Sequence, residues 1–308
     1  MSDAVDLAAE ATLTHAGWSV AVSLRTGAVM SCDYRGVEVL RSQAAGAPAQ
    51  DPFDSAHFPL APYSNRIRNG RFTFAGKTYS ILPNAPGQDH PLHGTAWLGR
   101  WEEVARTAQA VTLRFENEPE KDGWPWPFAL TQRIAVEDGA FVIGLEVKNT
   151  GAAPMPSGLG FHPYFSDPAA ASISFAAEGV WLADEEGLPV RWAKEPPEWD
   201  FAGGKPLKGL AIDHCFTGWR GPAAVEWRNR PYTVEIEADE GLPFAVVFVS
   251  DALDCFCFEP VSHMNDALNW AGRTPDAGLR TLAPGEIHSA VMRLRIREPR
   301  SKGKRESL

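Results

Sequence analysis

The chain has 308 residues, of which 44% are hydrophobic, and its formal net charge is −10. A chain of this length and composition can bury a large core, as one all-β domain or as two smaller domains. The net negative charge argues against nucleic acid and anionic membranes as partners, because both require a clustered cationic face. The basic cluster is confined to residues 301–308, a short polar tail that we expect to be disordered.

Alternating apolar and polar residues recur along the chain, with the period of a half-buried strand. The pattern predicts a hairpin over 18–30, strands at 71–79 and 110–115, a hairpin over 130–147 turning at Asp138-Gly139, a strand pair at 224–236 and a last strand at 289–296. Only residues 6–11 and parts of the 180s have a pattern that would support a helical turn. The predicted structure is therefore almost entirely strand.

Many strands with hairpin signals, and no alternation of strands with helices, predict an all-β fold, a large antiparallel β-sandwich or a barrel. No linker or repeat divides the chain, so residues 1–300 are expected to form one domain before the basic tail. Loops longer than usual are expected at 41–65, 83–100, 117–128 and 183–210. Such loops on a rigid scaffold often carry function.

The cysteines and the N-terminal segment bear on where the protein acts. Cys32, Cys215, Cys255 and Cys257 include no C-x-x-C pair, so we expect reduced core residues. The N-terminal segment is acidic where a secretory signal would be basic, and no apolar run has the length of a membrane span. These features predict a cytoplasmic protein, and they leave monomer and homodimer open.

One acidic residue stands out because it ends an apolar strand. Phe256-Cys257-Phe258-Glu259-Pro260 places a carboxylate after a run of β-branched and aromatic residues. A buried carboxylate requires cationic or hydrogen-bonding neighbours, or a raised pKa, and either arrangement suits a general base. The alternative is an ordinary glutamate that reaches solvent because Pro260 stops the strand.

Two further residues could carry chemistry or bind a ligand. His162 lies among aromatic residues and, in an extended chain, on the same face as Tyr164. Imidazole is the side chain best able to act as an acid near neutral pH, although a hydrogen-bonded core histidine is the alternative. Asp213 lies between apolar residues, where it can accept hydrogen bonds from ligand hydroxyls or from its own backbone.

The cationic candidates follow predicted loops. Arg66 offers a planar guanidinium suited to sugar hydroxyls, carboxylates or phosphate, whereas Arg68 and Arg71 are expected at a solvated strand start. His90 and His93 have H-x-x-H spacing in a loop, which is a weak metal signal, and His93 can approach a ligand or cap a turn. Several of the eleven tryptophans lie in loop-like segments, where they could stack on sugars or belong to the core, including Trp97, Trp124, Trp126 and Trp219.

Taken in order, five motifs resemble the aldose 1-epimerase (mutarotase) family: Asn65-Arg66-Ile67, Leu92-His93-Gly94, Phe161-His162-Pro163-Tyr164-Phe165, Asp213 with Cys215-Phe216, and Phe258-Glu259-Pro260. The resemblance spans about residues 15–296. It implies a galactose-mutarotase-like β-sandwich without metal or organic cofactor. It also implies that Glu259 is the general base and His162 the general acid. Arg66, His93 and Asp213 would then bind the hydroxyls of a small-molecule aldose.

The chain departs from the galactose enzymes at positions that leave the sugar open. Ser166 stands where Asn usually follows the Tyr-Phe pair, Thr95 stands where a second Gly follows His-Gly, and the segment after Glu259 lacks the usual Gln. The implied reaction interconverts the α and β anomers of a sugar by ring opening. It needs a base at the C1 hydroxyl and an acid at the ring oxygen, which a carboxylate and an imidazolium would supply.

Three other functions remain open from the sequence. An enzyme acting on hexose 6-phosphates could use Arg66, Arg68 and Arg71 to bind phosphate. A non-catalytic sugar-binding or regulatory module could use the same fold. A metal-dependent β-barrel enzyme could use His90, His93 and His162.

Overall fold

A computed structural model describes residues 10–42, 52–121, 123–194, 197–274 and 276–298. In chain order its strands are β1 Glu10–His15, β2 Trp18–Ser23, β3 Val29–Tyr34, β4 Val37–Leu40, β5 His57–Leu60, β6 Arg71–Phe74, β7 Lys77–Ser80, β8 Glu102–Arg106, β9 Ala110–Asn117, β10 Phe128–Glu137, β11 Ala140–Asn149, β12 Met155–Ser157, β13 Gly160–Ser166, β14 Ala171–Ser174, β15 Gly179–Ala183, β16 Pro189–Ala193, β17 Lys205–Pro206, β18 Ile212–Thr217, β19 Ala223–Trp227, β20 Thr233–Ala238, β21 Phe244–Val249, β22 Cys255–Val261, β23 Arg280–Leu282 and β24 Ile287–Arg297. The described helices are short: α1 spans Ala267–Trp270, and 3-10 turns span Pro52–Asp54, Arg68–Gly70, Ala96–Leu98 and Pro197–Trp199.

Two large antiparallel sheets contain most of the strands. The first sheet has the order β1-β2-β3-β5-β13-β22-β21-β18-β15-β16, with β4 also paired to β3. The second has the order β17-β14-β19-β20-β24-β11-β10-β9-β8. The strands β6 and β7 form a separate hairpin, and β12 pairs with β23. The chain thus forms the large antiparallel β-sandwich that the sequence predicts.

Strand alternation divides the first sheet into two buried faces. Phe161 and Phe165 of β13, and Phe256 and Phe258 of β22, face the second sheet and belong to the core between the two sheets. The residues between them point the other way, where a second cluster packs beneath loops and includes Tyr164, Cys255 and Cys257. This second side is called the outer face below, and it carries Glu259 and His162.

The predicted hairpins are confirmed. The hairpin over 18–30 is β2 with β3, and that over 130–147 is β10 with β11. Its turn residues Asp138 and Gly139 have φ values of 50° and 72°, as a tight two-residue turn requires.

Several other predictions need correction or remain open. The helical pattern is wrong at Glu10 and Ala11, which lie in β1, and in the 180s, where β15 and β16 flank a turn. The expected loops at 41–65 and 183–210 contain the short strands β5, β16 and β17. Residues 6–9 and the basic tail lie outside the described residues, and the single domain over residues 1–300 stays a prediction. No described helix is long and apolar enough to span a membrane.

Candidate active site

Glu259 and His162 lie side by side on the outer face of the first sheet. The antiparallel register that pairs Tyr164 with Cys257 places His162 opposite Glu259. His162 Nε2 lies 3.4 Å from Glu259 Oε1, and the two side chains remain 8% and 3% exposed. The two residues that the sequence proposes for proton transfer therefore meet at one place, which is not fully sealed from solvent.

Neighbouring aromatic rings and one backbone hydrogen bond fix the position of His162. The ring of Phe58 on β5 stacks on the imidazole at a centroid distance of 4.5 Å, and Tyr164 lies at 4.6 Å. The backbone N–H of His162 donates to Nδ1 of His57 at 3.2 Å. Within the described residues, Nδ1 of His162 and Oε2 of Glu259 are buried without a hydrogen-bond partner. One polar atom on each side chain is thus left for a ligand.

Burial controls the protonation of this pair. Burial, followed by the nearby His57, lowers the pKa of His162 to about 3. Burial also raises the pKa of Glu259 well above its usual range; Asp213 raises it further, and Arg66 opposes the shift. Desolvation disfavours the charged form of each group. The protein alone therefore favours a neutral imidazole and a protonated Glu259, in contrast to the carboxylate and imidazolium expected from the sequence.

Arg66 and Asp213 form a second pair nearer the surface. Arg66 Nη1 lies 3.3 Å from Asp213 Oδ2, with side chains 18% and 28% exposed. Asn65 holds the arginine in place, since its Oδ1 accepts the backbone N–H of Arg66 at 2.9 Å and Nη1 at 3.4 Å. The exposed edges of this pair combine donors and an acceptor, which suits the recognition of hydroxyl groups.

His93 joins the two pairs. Its backbone N–H donates to the carbonyl of Asn65 at 3.0 Å, and its Nδ1 accepts the backbone N–H of Asn65 at 3.1 Å. Its ring meets that of His162 edge-on at 5.1 Å. Burial, and then the charges of His162 and Arg66, lower the pKa of His93 well below its usual value. Since Nδ1 accepts, the proton of the neutral ring lies on Nε2, which can donate to a ligand oxygen.

A buried tryptophan stabilises the loop that carries His93 through two hydrogen bonds. Trp97 Nε1 donates to the carbonyls of Leu92 at 3.1 Å and Gly94 at 3.2 Å. At Gly94, with φ of 74°, a Cβ atom would lie 2.1 Å from the carbonyl oxygen of Ala61, so only glycine fits. Of the two possibilities left open for the loop tryptophans, burial supports the core for all four: Trp97, Trp124, Trp126 and Trp219.

The turn at residues 184–188, called the acidic turn below, holds the other predicted cations. Arg68 lies 3.8 Å from Asp184 and 3.9 Å from Asp266. His90 Nε2 lies 3.3 Å from Glu186. Arg68 and His90 therefore contact these carboxylates rather than Glu259, and Arg71 is exposed on β6.

The centre of the acidic turn contacts the Arg66–Asp213 pair directly. Gly187 has φ of +74°, and a Cβ atom there would lie 2.4 Å from Arg66 Nη1 and 3.1 Å from Asp213 Oδ2. Asn265 Nδ2 donates to the Gly187 carbonyl at 3.5 Å. Its Oδ1 is buried and has no partner among the described residues, so Asn265 is a further candidate for ligand contact.

The three histidines of the alternative metal-dependent enzyme do not assemble among the described residues. Among the described residues, one group of three potential ligands comes together, and it is His162, Cys257 and Glu259 rather than His90, His93 and His162. Its ligand atoms lie within 4.8 Å of one another. A metal-dependent enzyme built on the three histidines is therefore not supported.

The structure also shows site residues that sequence reasoning missed. Cys257 precedes Glu259 by two positions, so strand alternation could have placed it beside the carboxylate. Phe58 and His57 belong to β5, inside a stretch predicted as loop, and had no local signal. Gly187 and Asn265 reach the site only through contacts between distant loops.

Comparison with known proteins agrees with this architecture. A crystal structure of an Escherichia coli K12 protein, 30% identical, has a TM-score of 0.85 and covers 94% of this chain and 99% of its own. A galactose mutarotase-like protein from Clostridium acetobutylicum, 19% identical, has a TM-score of 0.81 over 94% of this chain and 95% of its own. The fold is thus the galactose-mutarotase-like β-sandwich.

Sequence comparison supplies the family. The uncharacterized protein YphB of Escherichia coli K12 is 31% identical over 294 residues, which cover 92% of this chain and 98% of YphB. The profile of the aldose 1-epimerase family matches residues 10–295. The chain belongs to the aldose 1-epimerase family.

Proposed function

We propose that the protein is an aldose 1-epimerase, an isomerase that interconverts the α and β anomers of a free aldohexose. The observation that carries this proposal is the 3.4 Å contact between Glu259 and His162, which lies beside the Arg66–Asp213 pair. Proton transfer at two oxygens of one sugar requires two proton-transfer groups close together, and hydroxyl recognition requires donors and acceptors beside them.

The proposed reaction moves protons and breaks one ring bond. Glu259 removes the proton of the C1 hydroxyl while His162 protonates the ring oxygen, and the bond from C1 to the ring oxygen breaks. The open aldehyde rotates about C1–C2. Reclosure on the other face returns a proton from Glu259 to the C1 oxygen and a proton from the ring-oxygen hydroxyl to His162, so no proton is gained or lost.

This mechanism requires one proton on the Glu259–His162 pair in total. Burial favours that proton on Glu259 before sugar binds. Hydrogen bonds from sugar hydroxyls stabilise a carboxylate relative to the protonated acid. Sugar binding would therefore move the proton across the 3.4 Å contact to His162 and prepare the acid and the base together.

Arg66, His93 and Asp213 are proposed to orient the sugar. Arg66 and Asp213 offer donors and an acceptor at the more exposed side of the site. His93 can donate its Nε2 proton to a sugar oxygen, because its Nδ1 is engaged by Asn65. The departures at Thr95 and Ser166 leave the identity of the aldohexose open.

The acidic turn favours a free sugar over a hexose 6-phosphate. Asp184 and Asp266 already pair with Arg68, and Asp213 pairs with Arg66. A phosphate entering the site would meet engaged guanidinium groups and the further carboxylates of the acidic turn. Rates measured on glucose and on glucose 6-phosphate would decide, and faster anomerisation of the phosphate would favour the second substrate.

The experiment that tests the proposal is polarimetry on freshly dissolved single anomers of glucose and galactose. We expect the protein to accelerate mutarotation and Glu259→Gln to abolish the acceleration with the fold unchanged, since Gln has a similar shape and cannot take the proton. Glu116→Gln, at an exposed residue of β9, serves as the matched control. Full activity of Glu259→Gln, or sugar binding by the native protein without anomerisation, would contradict the proposal.

A further inference from the structure

A cysteine thiol lies beside the proton-transfer pair and has no part in the proposed reaction. Cys257 precedes Glu259 by two residues on β22, so their side chains share the outer face. The register of β22 with β13 pairs Cys257 with Tyr164. Tyr164 follows His162 by two residues on β13, so it lies on the same face. Cys257 is fully buried. A thiol, an imidazole and a carboxyl therefore converge from two adjacent strands.

The spacing of these groups suits a small cation. Their ligand atoms lie within 4.8 Å of one another. Tetrahedral zinc, with metal–sulfur bonds of about 2.3 Å and metal–nitrogen or metal–oxygen bonds of about 2.0 Å, needs ligand atoms about 3.3–3.5 Å apart. His162 Nε2 and Glu259 Oε1 already lie 3.4 Å apart. An approach of the thiol by roughly 1 Å would complete three tetrahedral positions.

The charges also balance. A divalent cation bound to a thiolate, a carboxylate and a neutral imidazole forms a site with no net charge, which reduces the cost of burial. Binding displaces the thiol proton and the single proton of the Glu259–His162 pair, so two protons pass to solvent as three metal–ligand bonds form.

We propose that His162, Cys257 and Glu259 form a binding site for a thiophilic divalent cation, of the class of Zn²⁺ and Cd²⁺. An occupied site removes both proton-transfer groups, so the cation inhibits anomerisation and competes with sugar.

The neighbouring Cys255 provides a matched control. It lies on the same face of β22, but its sulfur already accepts a hydrogen bond from Arg41 Nη1 at 3.2 Å. Within the described residues, Cys255 does not belong to the group whose ligand atoms converge. Removal of its thiol should therefore leave metal binding unchanged.

The test is a titration of the metal-free protein with Cd²⁺, followed by the ultraviolet absorption of the thiolate–cadmium bond. We expect one Cd²⁺ per chain, two protons released, and a weaker signal when galactose is present. Cys257→Ala should lose the absorption band and weaken binding on the order of tenfold or more, whereas Cys255→Ala should match the native protein. Cys257→Ser provides a second variant if the alanine variant does not fold.

Binding is measured independently of catalysis, so the site can be tested even if the protein does not anomerise sugars. Where mutarotation is observed, Cd²⁺ should inhibit the native protein and Cys255→Ala but not Cys257→Ala. The proposal is overturned if the native protein shows no thiolate–cadmium band, or if Cys257→Ala shows a band of equal strength.

Discussion

Gly187 lies against the guanidinium of Arg66 so closely that a Cβ atom would stand 2.4 Å from Nη1. The acidic turn therefore sets the position of a proposed sugar-binding residue through a glycine that has no side chain. The contact also joins two segments that are far apart in the chain. A side chain at Gly187 should therefore disturb sugar binding by Arg66 more than proton transfer by Glu259 and His162.

Gly187→Ala should raise KM with a smaller effect on kcat, because the new methyl group displaces Arg66 and leaves Glu259 and His162 in place. Gly209→Ala is the matched control, since Gly209 has a similar φ of +72° and no neighbour within 4 Å of a Cβ atom. The measurement is initial-rate polarimetry over a range of sugar concentrations. An equal change of KM in both variants would assign the effect to backbone strain rather than to Arg66.

His162→Asn should lower kcat on the order of 10²–10⁴-fold, the usual contribution of a positioned acid or base. Sugar binding should change much less, because Arg66, His93 and Asp213 remain. Polarimetry gives kcat, and calorimetry gives the dissociation constant of the sugar. His15→Asn, at an exposed residue, controls for the substitution itself. Equal activity of His162→Asn and the native protein would show that His162 is not the acid.

The pH dependence of kcat/KM should lack an acidic limb near the ordinary pKa of histidine. The pair is active with one proton, and a second proton binds only as pH falls toward the His162 pKa of about 3. On the alkaline side, activity falls as the pair loses its only proton, through the raised pKa of Glu259. Catalysed rates between about pH 5 and pH 9 test this. An acidic limb with its midpoint near pH 6.5 in folded protein would contradict it.

Buried neutral histidines should make the fold sensitive to acid. His263 accepts the N–H of Ser64 through Nε2 at 3.0 Å and donates through Nδ1 to Met264 at 2.7 Å, and burial lowers its pKa from 6.5 to about 4. The unfolded chain binds this proton at higher pH than the folded chain. The free energy of unfolding therefore falls as pH falls from 6.5 to about 4, by about 1.4 kcal/mol per pH unit for this group.

Urea unfolding at several pH values measures this slope for the native protein and for His263→Gln. The amide oxygen of Gln can still accept the Ser64 N–H, but it does not titrate. We expect a lower stability at neutral pH and a shallower loss of stability toward acid. An unchanged slope would show that His263 does not carry this part of the acid sensitivity.

The strand architecture follows from local sequence, and so does part of the site. Period-two alternation and the Asp138-Gly139 turn predict β10 and β11, because both signals are local. Alternation also places Glu259 with Cys257 on one face. The pairing of β13 with β22, which brings His162 to Glu259, is a long-range contact that the family resemblance implied and the residue pattern alone did not give.

Other features depend on contacts that a local pattern does not contain. The acidic turn contacts Arg66 through Gly187, and it also contacts Arg68 and His90, so these contacts join segments about a hundred residues apart. Trp97 lies in a loop-like stretch, yet its ring is buried against Phe58 and its N–H donates to carbonyls of the His93 loop. The proton position on Glu259 and His162 depends on burial, which is known only once the fold is known.

The proposed chemistry takes place on the outer face of the first sheet, while the core between the sheets is built by the alternate residues of the same strands. The core between the two sheets and the proposed sugar-binding residues thereby lie on opposite sides of one layer. Exchange of surface turns such as the acidic turn between members of this family should therefore transfer sugar preference without repacking the interior. Those turns are the natural segments to randomise when a new specificity is sought.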